Sequence, residues 1–173
     1  MRSTSVVLRR RRWVLQAVLV AVVVFGIRAF ERFYYRRLVM THTAAVAAAI
    51  YVYHHQYGDL PDSLSVIERS RIYSDLSYRL PSHGLDGLWN GYSGPEPHYL
   101  PVRDWDGETQ YIVAVTARAP RIWPVRGYVY VGSPTAHFAA NDEAMAEVLA
   151  ADNAARKRTG QPANWDEVQW RSR

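Results

Sequence analysis

The chain reads as an α+β protein: a long N-terminal helix packed on a small antiparallel β-sheet, closed by a C-terminal helix. Three observations predict this. An apolar run flanked by arginines passes without Pro into an amphipathic stretch, so helix periodicity runs on to residue 57. Short β-branched and aromatic runs then alternate with turn residues. Finally, Asn141 precedes an Ala-rich segment that is acidic at its start and basic at its end, which marks a capped helix.

The length of 173 residues, with 49% hydrophobic and 21% charged residues, fits one folded domain with appendages. There is no cysteine, which excludes a disulfide scaffold, a thiolate metal site and a cysteine nucleophile. The net charge of +5 is unevenly placed. Nine arginines and the single acid Glu31 lie in residues 1–37, while the remainder carries 12 basic and 15 acidic residues. Nucleic acid is not an expected partner, because the folded part lacks a basic surface interleaved with aromatics.

The first element follows Arg9 to Arg12. Residues 13–27 are apolar except for Gln16 and extend roughly 22 Å as a helix, against a hydrocarbon core of about 30 Å. With Ala29 and Phe30 included and Arg28 snorkelling, the span 13–30 suffices for a slightly thinned bilayer. A cleaved secretory signal needs small residues at −3 and −1, and Ile27-Arg28-Ala29 does not supply them. A core helix is poorly served by four adjacent arginines. The expected reading is a retained signal-anchor, with residues 1–12 a basic cytoplasmic tail and membrane lipid the partner of the helix.

Residues 31–57 continue the helix in amphipathic form. Val39, Thr43, Val46, Ile50, Tyr53 and Tyr57 repeat at spacings of four and three and define one face. Gly58 is suited to the cap and Pro61 prevents resumption. An extracytoplasmic domain is expected over 58–160, then a tail over 161–173. Within it, residues 62–67 read as a short helix after Pro61, and 78–101 as a loop excursion dense in Gly and Pro. Strands are expected at 99–103, 110–116, 127–131 and 135–138, with Asp106-Gly107 as a hairpin turn between the first two. The last helix runs from Asn141 to Gly160, with Ala144, Val148, Ala151 and Ala155 as its apolar stripe. Residues 164–170 read as one more turn pinned by Trp165 and Trp170.

This order of parts resembles the type IV pilin and type II secretion pseudopilin superfamily. Tyr57-Gly58-Asp59-Leu60-Pro61-Asp62-Ser63-Leu64 looks like the pseudopilin junction in which a Tyr-containing helix meets a Gly-x-hydrophobic-Pro-x-x-Leu turn. Residues 127–149 are similar to the carboxy-terminal part of prepilin-like proteins, where two strands introduce an acidic-capped helix. The resemblance implies a pilin-like fold, a bacterial inner-membrane location with the main domain periplasmic, and protein partners or self-association in protein transport. The chain departs from prepilins in having no Gly before Trp13 and no acidic residue in the span, so prepilin processing is not implied.

No catalytic signature is present, and no catalytic or cofactor-binding residue is assigned. Asp104, Asp106 and Glu108 alternate in a turn compatible with calcium, as in calcium-stabilised pseudopilins, but a solvated hairpin carrying acidic residues is the favoured reading. His54 and His55 diverge by about 100° on a helix and cannot share a metal alone. Ser133, His137 and Asp142 lack the strand-turn-helix elbow that exposes a nucleophile. Two functions from different classes are therefore expected: a membrane-anchored pseudopilin-like assembly protein, or an anchored enzyme or ligand-binding domain. The second would have a site in loop 81–105 near Trp89, His98 and Asp104.

Overall fold

A computed structural model describes residues 3–69, 97–116, 126–163 and 165. The chain divides into two compact units, residues 1–34 and 35–173. Helix α1 (Ser3–Tyr57) supplies all the regular structure described in the first and opens the second. It begins about ten residues before the apolar run and ends where expected. Gly58 adopts φ +79° and donates its N–H to the His54 carbonyl at 2.8 Å, the left-handed cap that a side chain would strain.

After α2 (Leu64–Arg69), the second unit contains a four-stranded antiparallel sheet. Its strands β1 (His98–Tyr99), β2 (Ile112–Val115), β3 (Arg126–Tyr130) and β4 (Ala136–Ala139) pair in chain order. Helix α3 (Asp142–Arg158) follows. The α+β class, the long first helix, the antiparallel sheet and the closing helix are thus those read from the sequence.

The sheet is covered on both faces. Val46, Ala47, Ala49 and Ile50 of α1 pack with Val113, Ala114, Val129 and Val131, under a lid of Leu64, Ile67 and Val102. Met145 and Leu149 of α3 pack with Ile112, Val115 and Ala139, joined by Trp165. Burial on both sides explains why all four β2 residues are apolar and buried rather than alternating. The register shifts within β2: Ile112 faces Tyr130 while Ala114 faces Val129, so Val113 is the extra residue of a bulge. The bulge turns both Val113 and Ala114 toward α1 and returns Val115 to the α3 side.

Helix α1 approaches β3 closely at one point. A Cβ built on Gly127 would land on the Thr43 side chain, 2.7 Å from its Cβ and nearer still to its Oγ1 and Cγ2. The Thr43 hydroxyl donates to the Val39 carbonyl at 2.7 Å, so it is satisfied within its own helix. Of the expected α1 face, Val39, Thr43, Val46 and Ile50 are buried, Tyr53 is half-buried and Tyr57 is exposed.

Three expectations need correction. Strand β1 stops at Tyr99 rather than 103: Leu100 makes a last backbone bond to the Val113 carbonyl at 2.9 Å, and the Leu100 and Pro101 carbonyls are taken by the Arg156 side chain instead of by β2. Asp106-Gly107 lies in the long connection 100–111 between β1 and β2, not in a two-residue hairpin; Gly107 there has φ +80°. The buried face of α3 is Met145, Leu149, Asp152, Asn153 and Arg156, rotated from the expected alanine stripe, in which Ala151 is exposed. Asn141 does cap α3, its side chain accepting from the Ala144 N–H at 2.8 Å. The Gly- and Pro-rich excursion and Trp170 lie outside the described residues apart from 97–101.

Candidate functional site

The first unit presents apolar side chains on every side of its helix. Trp13, Val14, Leu15, Val18, Leu19 and Val20 are exposed, as are Val22 to Phe25, and Phe25 reaches 78%. Consecutive exposed apolar residues cover the full turn of a helix, which leaves no polar face for water. The helix is long and apolar enough to cross a membrane. Exposed Arg11 and Arg12 precede this stretch. Arg28 follows it, paired with Glu31 at 3.9 Å.

In the second unit two open clefts share Arg103 and Asp104. One, of about 670 Å³, is lined by Tyr53, Asp59, Leu60, Asp62, Pro101 and Val102 besides these two. The other, of about 570 Å³, adds Thr159 to Pro162. The backbone between them is held firmly. Gln161 accepts from the Arg103 N–H through Oε1 at 2.9 Å and donates to the Arg103 carbonyl through Nε2 at 2.6 Å. Asp104 adopts φ +47°, the left-handed region that Asp tolerates better than most residues. Both residues are exposed, and a guanidinium and a carboxylate thus line both clefts.

Of the residues expected around a loop site, Asp104 lines the clefts. His98 does not; it sits on β1, paired in register with Val115, and burial first and the Arg126 guanidinium second hold its imidazole below the usual range. Trp89 lies outside the described residues.

The calcium candidates are arranged by their own turn. Asp106 Oδ1 accepts from the N–H groups of Glu108 at 2.9 Å and Thr109 at 2.8 Å, and Oδ2 accepts from the Thr109 hydroxyl at 2.7 Å. The bonds to Thr109 and Glu108 hold its carboxyl below the usual range. Among the described residues no three His, Asp or Glu side chains converge as a metal site. His54 meets Trp105 edge-on at 5.4 Å while His55 stacks on Tyr51 at 6.3 Å. Ser133, His137 and Asp142 are engaged apart from one another: Ser133 with Thr135, His137 stacked on Tyr128, and Asp142 with Arg126 at 3.0 Å.

Sequence reasoning missed a buried polar hub. The Arg156 guanidinium uses all five of its N–H donors: Nε to Asp152 Oδ2 at 2.8 Å, and the terminal nitrogens to the carbonyls of Leu100, Pro101, Ile112 and Pro162. Asp152 Oδ1 accepts from the Ile112 N–H at 2.8 Å, and its Oδ2 also accepts from Trp165 Nε1 at 2.6 Å. The rings of Tyr111 and Trp165 lie 5.6 and 5.8 Å from the guanidinium carbon. Where the β1 ladder ends, the ion pair takes over the Ile112 backbone groups. The signal was the spacing of Asp152 and Arg156, which is also that of an ordinary surface pair.

Comparison with family models, with curated proteins and with solved structures finds no match.

Proposed function

We propose that this is a single-span inner-membrane protein whose α+β domain lies on the periplasmic side, and that it serves as a pseudopilin-like structural component of a secretion or cell-envelope assembly. The observation that carries this reading is the division of labour along α1. Its first part is apolar on all faces, and from Val39 onward it becomes the core helix of a folded domain. Such a helix serves to hold a domain at a bilayer, and the domain then acts through its surface. The Arg-rich start favours a cytoplasmic amino terminus.

The test is the mass of the native amino terminus recovered from the membrane fraction. An intact terminus carrying Arg9 to Arg12 is expected, and it makes the chain a permanently anchored scaffold. A terminus within the apolar run would make it a processed filament subunit. One near Phe30, found in the soluble fraction, would overturn the anchor.

The pair of clefts that share Arg103 and Asp104 favours a second reading, an anchored ligand-binding domain. A charge-reversed Arg103→Glu variant that keeps the fold separates the two. Loss of small-molecule binding in a ligand screen supports the second, and loss of cross-linked protein partners supports the first.

A further inference from the structure

We infer that the apolar part of α1 is matched to a thin bilayer with an anionic surface, and that its boundary on the domain side is the Arg28–Glu31 pair. This rests on the anchor reading above and specifies its partner.

Residues 13–27 extend only about 22 Å as a helix, short of a hydrocarbon core of about 30 Å. Tilting worsens a deficit, since it shortens the projection on the bilayer normal. A short span is relieved by a thinner bilayer, by snorkelling or by association.

The side chains at the ends point to the first two. Arg28 is 61% exposed and its partner Glu31 17% exposed, one turn further from the apolar run. The pair therefore draws the guanidinium away from the hydrocarbon and offsets its charge at the boundary. Phe30 and Phe33 follow as exposed rings, and Trp13 stands exposed at the opposite end, the positions of interfacial aromatics. From Trp13 to Phe30 the helix spans roughly 27 Å from interface to interface.

Arg11 and Arg12 at one end and Arg28 and Arg32 at the other face only Glu31 as an acid in this unit. Parallel copies of the helix would set these arginines side by side, whereas anionic headgroups complement them at both ends. The bilayer, not a second copy, covers this surface.

The full chain is reconstituted into phosphatidylcholine vesicles with and without phosphatidylglycerol, with acyl chains of about 14 to 22 carbons. The fraction of chains that span is read from flotation followed by protease protection. The chain lacks cysteine, so a single label at Ala29→Cys reports the depth of the boundary without background.

The spanning fraction is expected to be highest with the shorter acyl chains, to fall about threefold or more at the longest, and to fall when phosphatidylglycerol is omitted. Arg28→Leu is expected to move the optimum to bilayers about 4.5 Å thicker, three residues of rise. A spanning fraction indifferent to thickness, or unmoved by Arg28→Leu, overturns the inference and leaves the anchor standing. Spanning only as a cross-linkable dimer overturns it in favour of a second copy. Failure to float with any vesicle overturns the anchor itself.

Discussion

Thr43 of α1 and Gly127 of β3 stand so close that the helix and the strand leave no room for a methyl group between them. Gly127 holds its place in the ladder through Thr116, whose hydroxyl accepts from the Gly127 N–H at 2.8 Å. The glycine is needed for approach, not for an unusual backbone angle. Gly127→Ala is therefore expected to destabilise the domain by about 1–3 kcal/mol, the usual range for overpacking. Thr43→Ala should recover part of that loss in the double variant, a coupling that urea unfolding of the chain in detergent would read directly.

The Asp152–Arg156 pair makes a second, sharper prediction. Both side chains are almost wholly buried, so removing one partner strands the other's charge. Asp152→Ala is expected to cost about 3–5 kcal/mol. Arg156→Lys should not rescue an Arg156 defect, because three rotating ammonium donors cannot meet four carbonyls and a carboxylate in a plane. Chemical denaturation monitored by tryptophan fluorescence distinguishes these variants from a surface control such as Lys157→Ala.

Trp165 lies beyond the expected domain limit at residue 160, yet it is fully buried and its indole N–H donates to Asp152. Trp165→Phe keeps most of the apolar contact and loses the bond, for an expected cost of about 1–3 kcal/mol. Trp165→Ala also opens a cavity and is expected to cost about 3–5 kcal/mol. Near-equal losses from the two would show that packing by the indole contributes little.

Among the described residues, two groups give the acid range separate windows. His98 binds a proton less readily folded than unfolded, because burial and then Arg126 lower its affinity below the ordinary value of 6.5. Its contribution is present above pH 6.5 and is lost as the pH falls below it, levelling once the folded-state value is passed. Asp106 is depressed below 3.8 by its bonds to Thr109 and Glu108, so its contribution is present above 3.8 and lost as the pH falls through the lowered value. His98→Gln is expected to flatten the upper window alone and Asp106→Asn the lower alone, as measured by unfolding midpoints across the acid range.

Much of the architecture was legible because it rests on local signals. Asn141, Gly58 and the four-three spacing of Val39, Thr43, Val46 and Ile50 each express a rule of a few residues, and each occurs in the fold. Where the fold departs from expectation, the cause is a contact between distant segments. Ala144, Val148, Ala151 and Ala155 form as good an apolar stripe as any, but the sheet needed a donor and an acceptor for Ile112, and α3 turned Asp152 and Arg156 inward to supply them. The β2 bulge depends likewise on two faces being covered at once, which no window of one strand reveals. Of the loop site, Asp104 was identifiable as an acidic turn residue, while its neighbour Arg103 was not, because its placement depends on Gln161.

The Arg156 guanidinium ties together carbonyls 44 to 56 positions earlier in the chain with one six positions later. In synthesis from the amino terminus, both α1 and all four strands leave the ribosome before the residue that seals them. The edge of β2 at Ile112 has no lasting partner until α3 has formed and docked. The domain is therefore expected to acquire its structure in one late, concerted step rather than strand by strand, and a nascent chain stalled before residue 152 would keep that edge open to chaperones or to neighbouring chains.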